Sequence, residues 1–91
     1  CLYQGKNLSE AISSCNSLPF AFQASIFSND YSNIMHFFNN VDASAVMVND
    51  HTAFRVDWMP FAGRNESGYG VGGIPYTMED MTKIKMAVLS Y

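Results

Sequence analysis

Pro60-Phe61-Ala62-Gly63-Arg64-Asn65-Glu66-Ser67-Gly68-Tyr69-Gly70-Val71-Gly72-Gly73-Ile74 holds five of the six glycines in the chain. Glycine at this density marks backbone that turns sharply or lies close against another surface. Ser67-Gly68-Tyr69-Gly70 has the look of a nucleotide-binding loop, but its surroundings argue against one. A dinucleotide loop opens a helix directly after a strand, and a P-loop ends in Gly-Lys-Ser/Thr. Here no lysine closes the run, and Pro75 follows it. The stretch therefore reads as a structural loop. Short strands and helices come before it, and one helix and one strand come after.

Upstream, Asn7 with Glu10 three residues later resembles a capping box, and Leu8, Ile12 and Cys15 follow at helical spacing. This predicts a helix over 8–16, with Cys15 on its apolar face and Pro19 as its stop. Ala24–Ser28 reads as a strand and Asn29-Asp30 as a turn that caps a helix over 30–40. Ile34, Phe37, Phe38 and Val41 supply that helix with an apolar stripe, and His36 sits off it. Ala45–Val48 is almost wholly apolar, as in a strand buried on both faces. Alternation of strand and helix points to an α/β fold. Downstream, Thr77 is the expected cap of a helix over 78–84, and Lys85–Tyr91 the expected final strand. An apolar terminal strand without a partner calls for another edge to dock on.

Composition narrows the function classes. The chain has 91 residues, 48% of them hydrophobic and 14% charged, with a net charge of −3. Soluble domains usually carry roughly 25% charged residues, so the apolar faces are expected to meet further chain or another subunit. Lys6, Arg55, Arg64, Lys83 and Lys85 are scattered, which speaks against a basic nucleic-acid groove. No apolar run approaches the length of a membrane span. The opening Cys1, in place of Met, suggests a piece of a longer protein. Cys1 and Cys15 form no metal or redox pattern and suit a reducing, cytoplasmic setting. Asn7-Leu8-Ser9 and Asn65-Glu66-Ser67 match the glycosylation sequon, which matters only in a secreted protein.

The residues alone assemble no complete active site. Asp50, His51 and Ser67 lack a nucleophile elbow. Cys15 with His51 is weakened as a thiol–imidazole pair by the apolar face expected for Cys15. Glu79 and Asp80 are adjacent and diverge on a helix, and His36 with His51 makes no zinc signature. One region remains. Asn49-Asp50-His51-Thr52 lies just past the end of a strand, where open α/β sheets place ligands. Phe54 and Arg55 follow. An aromatic beside an arginine can form a pocket wall with an anion-binding group; equally, Arg55 can pair with Asp57 or lie on the surface.

Several ordered motifs give the chain a resemblance. Ala45–Asn49, Pro60-Phe61-Ala62-Gly63-Arg64, Ser67-Gly68, Gly70, and Met81-Thr82 with Lys85 resemble the C-terminal end of the NAD(P)-dependent aldehyde dehydrogenase superfamily. The family pattern there is Pro-Phe-Gly-Gly-Lys/Arg-x-x-Ser-Gly-x-Gly. Leu8–Ala11, Asn16 and Phe20–Ser28 look like the preceding family block. Ala21 and Ala62 stand where the family has glycine, and Phe22 where it has leucine. At both alanines the backbone must avoid glycine-only conformations.

The resemblance implies an α/β fragment of the catalytic domain over 1–84 and an oligomerisation strand over 85–91. It implies a longer parent in which a cysteine attacks the aldehyde, hydride passes to NAD or NADP, and water activated by a glutamate releases the acid. Neither Cys1 nor Cys15 matches that nucleophile, and no cofactor-binding residues fall in this chain, so the fragment alone is expected to be inactive. His51, Phe54 and Arg55 are the substrate-side candidates, Phe54 as aromatic wall and Arg55 as partner for an anionic aldehyde of lactaldehyde- or phosphonoacetaldehyde-like members. The implied partners are the N-terminal remainder of the enzyme, a small aldehyde, and further copies in a homodimer or homotetramer. The competing reading is a stand-alone, non-catalytic interaction module that reuses the segment.

Overall fold

Asn7 opens the first helix through its own side chain. In the computed structural model, which describes residues 1–91, its Oδ1 accepts the Glu10 N–H at 2.9 Å, while Glu10 Oε2 accepts the Lys6 N–H at 3.0 Å. Two amides with no intrahelical partner are thereby satisfied. Helix α1 runs over Leu8–Asn16. Two short strands follow, β1 (Phe20–Ala21) and β2 (Gln23–Ile26). Asp30 caps helix α2 (Tyr31–Asn40) by accepting the Ser32 N–H at 2.9 Å. Strand β3 covers Ala45–Val48, strand β4 Arg64–Asn65, and helix α3 Ile74–Met81.

The order β2–α2–β3 forms a parallel pair, in register from Gln23↔Ala45 to Ile26↔Val48. Side chains alternate across a strand, so Ala24, Ile26 and Val46 face one way. They pack with Leu8 and Ala43 against Ile12, Phe37 and Val41, which form the buried cluster between the helices and the sheet. Asn16 ties the two helix ends together: its Nδ2 donates to the Asn40 carbonyl at 2.7 Å, and its Oδ1 accepts the Asp42 N–H at 2.8 Å. His36 serves the same junction, with Nε2 3.2 Å from Ser9 Oγ.

The glycine-rich stretch closes on itself. Phe61 and Gly72 exchange backbone hydrogen bonds of 3.0 and 2.8 Å, so the ends of a twelve-residue loop meet. Its tip then docks on the first half of the chain. β4 pairs antiparallel with β1 (Phe20↔Asn65, Ala21↔Arg64), and Ser67 Oγ accepts the Ala21 N–H at 3.0 Å. Asp42 adds an anchor from the α2–β3 turn, taking Arg64 at 3.0 Å and Asn65 Nδ2 at 2.6 Å. Asn65 sits at φ 54°, the left-handed turn conformation that asparagine tolerates better than most residues. Ala21 and Ala62 are absent from the positive-φ residues, so neither methyl meets backbone strain.

Three expectations need correction. Cys15 is exposed rather than in the core, because the helix turns Ile12 inward and Cys15, about 60° round from it, falls at the open margin of the apolar face. Strand β2 ends at Ile26, and Phe27 is exposed, because Asn49 takes over the bonding of the chain beyond it. Helix α3 begins four residues earlier than expected, with Gly73 rather than Thr77 as its N-cap and Pro75 in its first turn. Proline is pre-set for that position, since its missing N–H has no partner to lose there. Residues 85–91, expected to dock on another subunit, pair with no other strand of this chain.

Five residues are buried: Ile12, Ala21, Phe37, Val41 and Met47. The accessible surface is 7683 Å² for 10.1 kDa, whereas a folded monomer of that mass exposes about 5,300 Å², an excess of roughly 2,400 Å². The radius of gyration is 18.3 Å, against about 12 Å for a compact domain of this length. A parallel pair of strands is normally covered on both faces. Here the helices cover one face, and the opposite face of β3 meets only the loop that follows it.

Candidate functional site

The loop after β3 starts from a fixed point. Asn49 adopts φ 56°, and its N–H donates to the Ile26 carbonyl at 2.8 Å. Its carboxamide bonds both backbone groups of Ser28, and the Ser25 hydroxyl donates to the Asp50 carbonyl. The ends of both parallel strands are thus locked together where the loop leaves the sheet. Val48 completes the ladder, and the left-handed turn at Asn49 directs the chain back along β3.

The three site residues expected from sequence are placed differently from one another. Phe54 lines a shallow apolar groove beside β3, with Ala45, Val46, Met47, Val48, Asp50 and Met59, of about 340 Å³. His51 is turned onto its own loop: Nδ1 accepts the Ala53 N–H at 3.1 Å, and Nε2 stands 3.8 Å from Asp50 Oδ1. Arg55 points elsewhere, with its guanidinium carbon 4.1 Å from the centroid of the Phe61 ring. Phe61 in turn meets Phe22 edge-on at 5.0 Å. Neither His51 nor Arg55 lines the Phe54 groove, so the chain does not bring all three into one pocket.

Of the two alternatives for Arg55, the pair with Asp57 does not form, and the residue does lie exposed on the surface. Arg64 pairs with Asp42 at 3.0 Å and His51 Nε2 stands 3.8 Å from Asp50 Oδ1, and Arg55 joins neither contact. Its charge is held over an aromatic face with no carboxylate opposite. Such a guanidinium keeps its planar fork of donors for a carboxylate, sulfonate or phosphate. Sequence reasoning missed Phe61 as the platform beneath Arg55 and Met59 as the second wall of the groove. An asparagine directly after an apolar strand is the sequence signal for the left-handed clamp at Asn49.

The glycine-rich loop does not fit a dinucleotide. Gly68–Gly73 does spell G-x-G-x-x-G and does run into a helix. A pyrophosphate needs free amides at that helix start, after a strand in a parallel unit. The preceding strand β4 is two residues long and antiparallel to its partner. The Ile74 N–H is already spent on the Asp57 carbonyl at 2.9 Å, and Pro75 has none. Gly73, at φ 113°, brings the backbone against Met59, where a Cβ would lie 2.5 Å from the carbonyl oxygen. Its glycine serves close packing.

Comparison with known proteins gives this arrangement a context. The family model described as "Aldehyde dehydrogenase family" matches residues 1–87. Lactaldehyde dehydrogenase of Methanocaldococcus jannaschii is 38% identical over 84 residues, covering 92% of this chain and 18% of the relative. The 3-sulfolactaldehyde dehydrogenase of Priestia aryabhattai is 36% identical over 87 residues, covering 96% of this chain and 18% of the relative. Among solved structures, glyceraldehyde-3-phosphate dehydrogenase of Methanocaldococcus jannaschii complexed with NADP superposes with a TM-score of 0.81 at 39% identity, over 88% of this chain and 18% of that one. The chain thus spans less than a fifth of the length of the curated relatives it matches. The match runs through the parallel pair, the Asn49 turn and the closed glycine loop alike, and the chain belongs to the aldehyde dehydrogenase family.

Proposed function

We propose that this chain is the C-terminal part of an NAD(P)-dependent enzyme that oxidises a small, anionic aldehyde to the carboxylic acid. It would contribute a wall of the substrate pocket and a surface for subunit assembly, while the nucleophilic cysteine and the cofactor site belong to the remainder of the protein. NAD(P) supplies the hydride acceptor in that whole enzyme. On this reading the cofactor would be held by residues outside this chain. The share of this chain is shape and charge: Phe54 and Met59 flank an apolar groove past the end of β3, and Arg55 presents a positive charge from the same loop.

The observation that carries the anionic preference is the Arg55 guanidinium, stacked on Phe61 and unmatched by any carboxylate. Two of the relatives described above act, by name, on aldehydes that bear a sulfonate or a phosphate. For assembly, the support is the surface excess together with the exposed Ile84, Met86, Val88, Leu89 and Tyr91. Residues 85–91 would pair with a strand edge of another copy in a homodimer or homotetramer, in the cytoplasm. A stand-alone interaction module has less support, because a free-standing domain would close more of its own core.

The test is to assay the complete protein for NAD+ and NADP+ reduction with succinic semialdehyde, glyceraldehyde 3-phosphate and propionaldehyde, before and after Arg55→Leu. A charge-assisted contact is worth about 1.5–3 kcal/mol, so KM for the two anionic aldehydes should rise roughly 10- to 150-fold, with propionaldehyde little changed. Equal effects on all three would remove Arg55 from substrate recognition. Absence of turnover with every aldehyde would remove the dehydrogenase reading itself.

A further inference from the structure

The imidazole of His51 is used by its own loop. Nδ1 accepts the Ala53 N–H at 3.1 Å, and the His51 carbonyl accepts the Phe54 N–H at 3.4 Å. A nitrogen that accepts carries no proton, so the proton of the neutral ring sits on Nε2, the atom 3.8 Å from the Asp50 carboxylate. Asp50 is itself fixed: its Oδ1 accepts the His51 N–H at 2.8 Å, and its carbonyl takes the Ser25 hydroxyl. A side-chain acceptor bonded to the N–H two residues on is the turn that Asn and Asp side chains make. Here histidine makes it. The next residue but one after His51 is Ala53, and Phe54 follows directly, with its ring in the groove beside β3.

We propose that His51 is a positioning residue: its neutral imidazole closes the 51–54 turn and thereby sets the Phe54 ring against the groove, without touching the aldehyde. This replaces the expectation that His51 binds substrate, and it rests on the reading of Phe54 as a substrate wall. The chain of contacts is continuous, from the β2 strand through Ser25 to Asp50, from Asp50 to His51, and from His51 to the amides on either side of the turn. Asparagine at position 51 would offer an oxygen acceptor to the same N–H. Leucine would keep bulk and remove the acceptor.

The experiment uses the complete protein in three forms, unaltered, His51→Asn and His51→Leu, with propionaldehyde and succinic semialdehyde as probes. His51→Leu is expected to raise KM for both roughly 3- to 10-fold, the loss of one net hydrogen bond, with kcat held within about twofold. His51→Asn is expected to restore KM to within about twofold. Amide hydrogen exchange at Ala53 and Phe54 is measured on the same three proteins. Exchange should be faster in His51→Leu than in the other two, whether or not the protein turns over an aldehyde. Unchanged exchange and KM in His51→Leu would overturn the proposal. So would equal losses in both variants, which would assign the ring a contact of its own with the substrate. Altered exchange in a protein that oxidises no aldehyde would overturn the substrate-wall reading and leave the turn-closing role standing.

Discussion

The Asn49 carboxamide grips both backbone groups of Ser28: the Ser28 N–H donates to Oδ1 at 2.8 Å, and Nδ2 donates to the Ser28 carbonyl at 2.9 Å. One side chain therefore joins the exits of β2 and β3, and it does so from φ 56°. Asn49→Ala loses two hydrogen bonds at about 1 kcal/mol each and adds the cost of alanine in a left-handed conformation, about 1 kcal/mol. Urea denaturation of the complete protein should show destabilisation of about 2–3 kcal/mol. Asn49→Gly keeps the conformation and should fall short of that. Equal stability in Asn49→Ala and the unaltered protein would mean that the clamp is replaced by solvent at no cost.

The glycines of the loop are not equivalent. A Cβ at Gly63 would lie 2.6 Å from the Ser67 carbonyl carbon and oxygen, whereas one at Gly70 meets nothing within 4 Å. Gly63→Ala must push one backbone segment off another. Gly70→Ala pays only for φ 70°, about 1–2 kcal/mol. Thermal unfolding should therefore rank Gly63→Ala and Gly73→Ala well below Gly70→Ala. Ala62→Gly, at a position free of positive φ, should cost no more than about 1 kcal/mol through unfolded-state entropy.

Phe61 is expected to act on substrate through Arg55. Phe61→Leu keeps an apolar side chain near Phe22 and removes the ring beneath the guanidinium. A cation–π contact at an exposed site is worth about 0.5–1 kcal/mol. KM for succinic semialdehyde should rise by about two- to fivefold, less than for Arg55→Leu, and KM for propionaldehyde should hold. A larger effect of Phe61→Leu on the neutral aldehyde would show that the ring packs against substrate directly.

The 91-residue chain taken alone should not behave as a tidy monomer. With roughly 2,400 Å² of surplus surface, close to the range buried in permanent interfaces, it should self-associate in sedimentation velocity and bind a hydrophobic dye. A single sharp monomer boundary without dye binding would mean that the termini fold back over the apolar face in solution.

Much of the fold was legible because local signals agreed with one another. Asn7 and Asp30 cap their helices as their residue types demand, and the apolar run Ala45–Val48 is the strand it reads as. The failures share a cause, namely that tertiary contact decided between local options. Gly73 and Pro75 started α3 because the Asp57 carbonyl lay within reach of Ile74, a fact no periodicity in 74–84 contains. Cys15 lies about 60° round the helix from Ile12, at the margin of the apolar stripe, and only the position of the sheet decides which margin is covered. At the site, the place of Phe54 beside the groove follows from its position after β3. The roles of His51 and Arg55 depended on where Ala53 and Phe61 lie, and residue type does not reveal that.

The parallel register of β2 and β3 carries a consequence for the order in which the chain assembles. Its partners are 22 residues apart, from Gln23↔Ala45 onward, and the intervening α2 brings them together while supplying Phe37 and Val41 to the core. The pairing of β1 with β4 spans twice that distance, Phe20↔Asn65, and yields two residue pairs. Doubling a loop adds only about 0.6 kcal/mol of closure entropy, but this second closure rests on polar contacts at Asp42 and Ser67 and adds no residue to the Ile12, Phe37 and Val41 cluster. Residues 8–50 should form first and present Pro19, Ala21 and Asp42 as a ready template. The glycine-rich loop should latch on afterwards and be the first part to open. Substitutions in the β2–α2–β3 unit should slow folding, and substitutions within 60–74 should chiefly hasten unfolding.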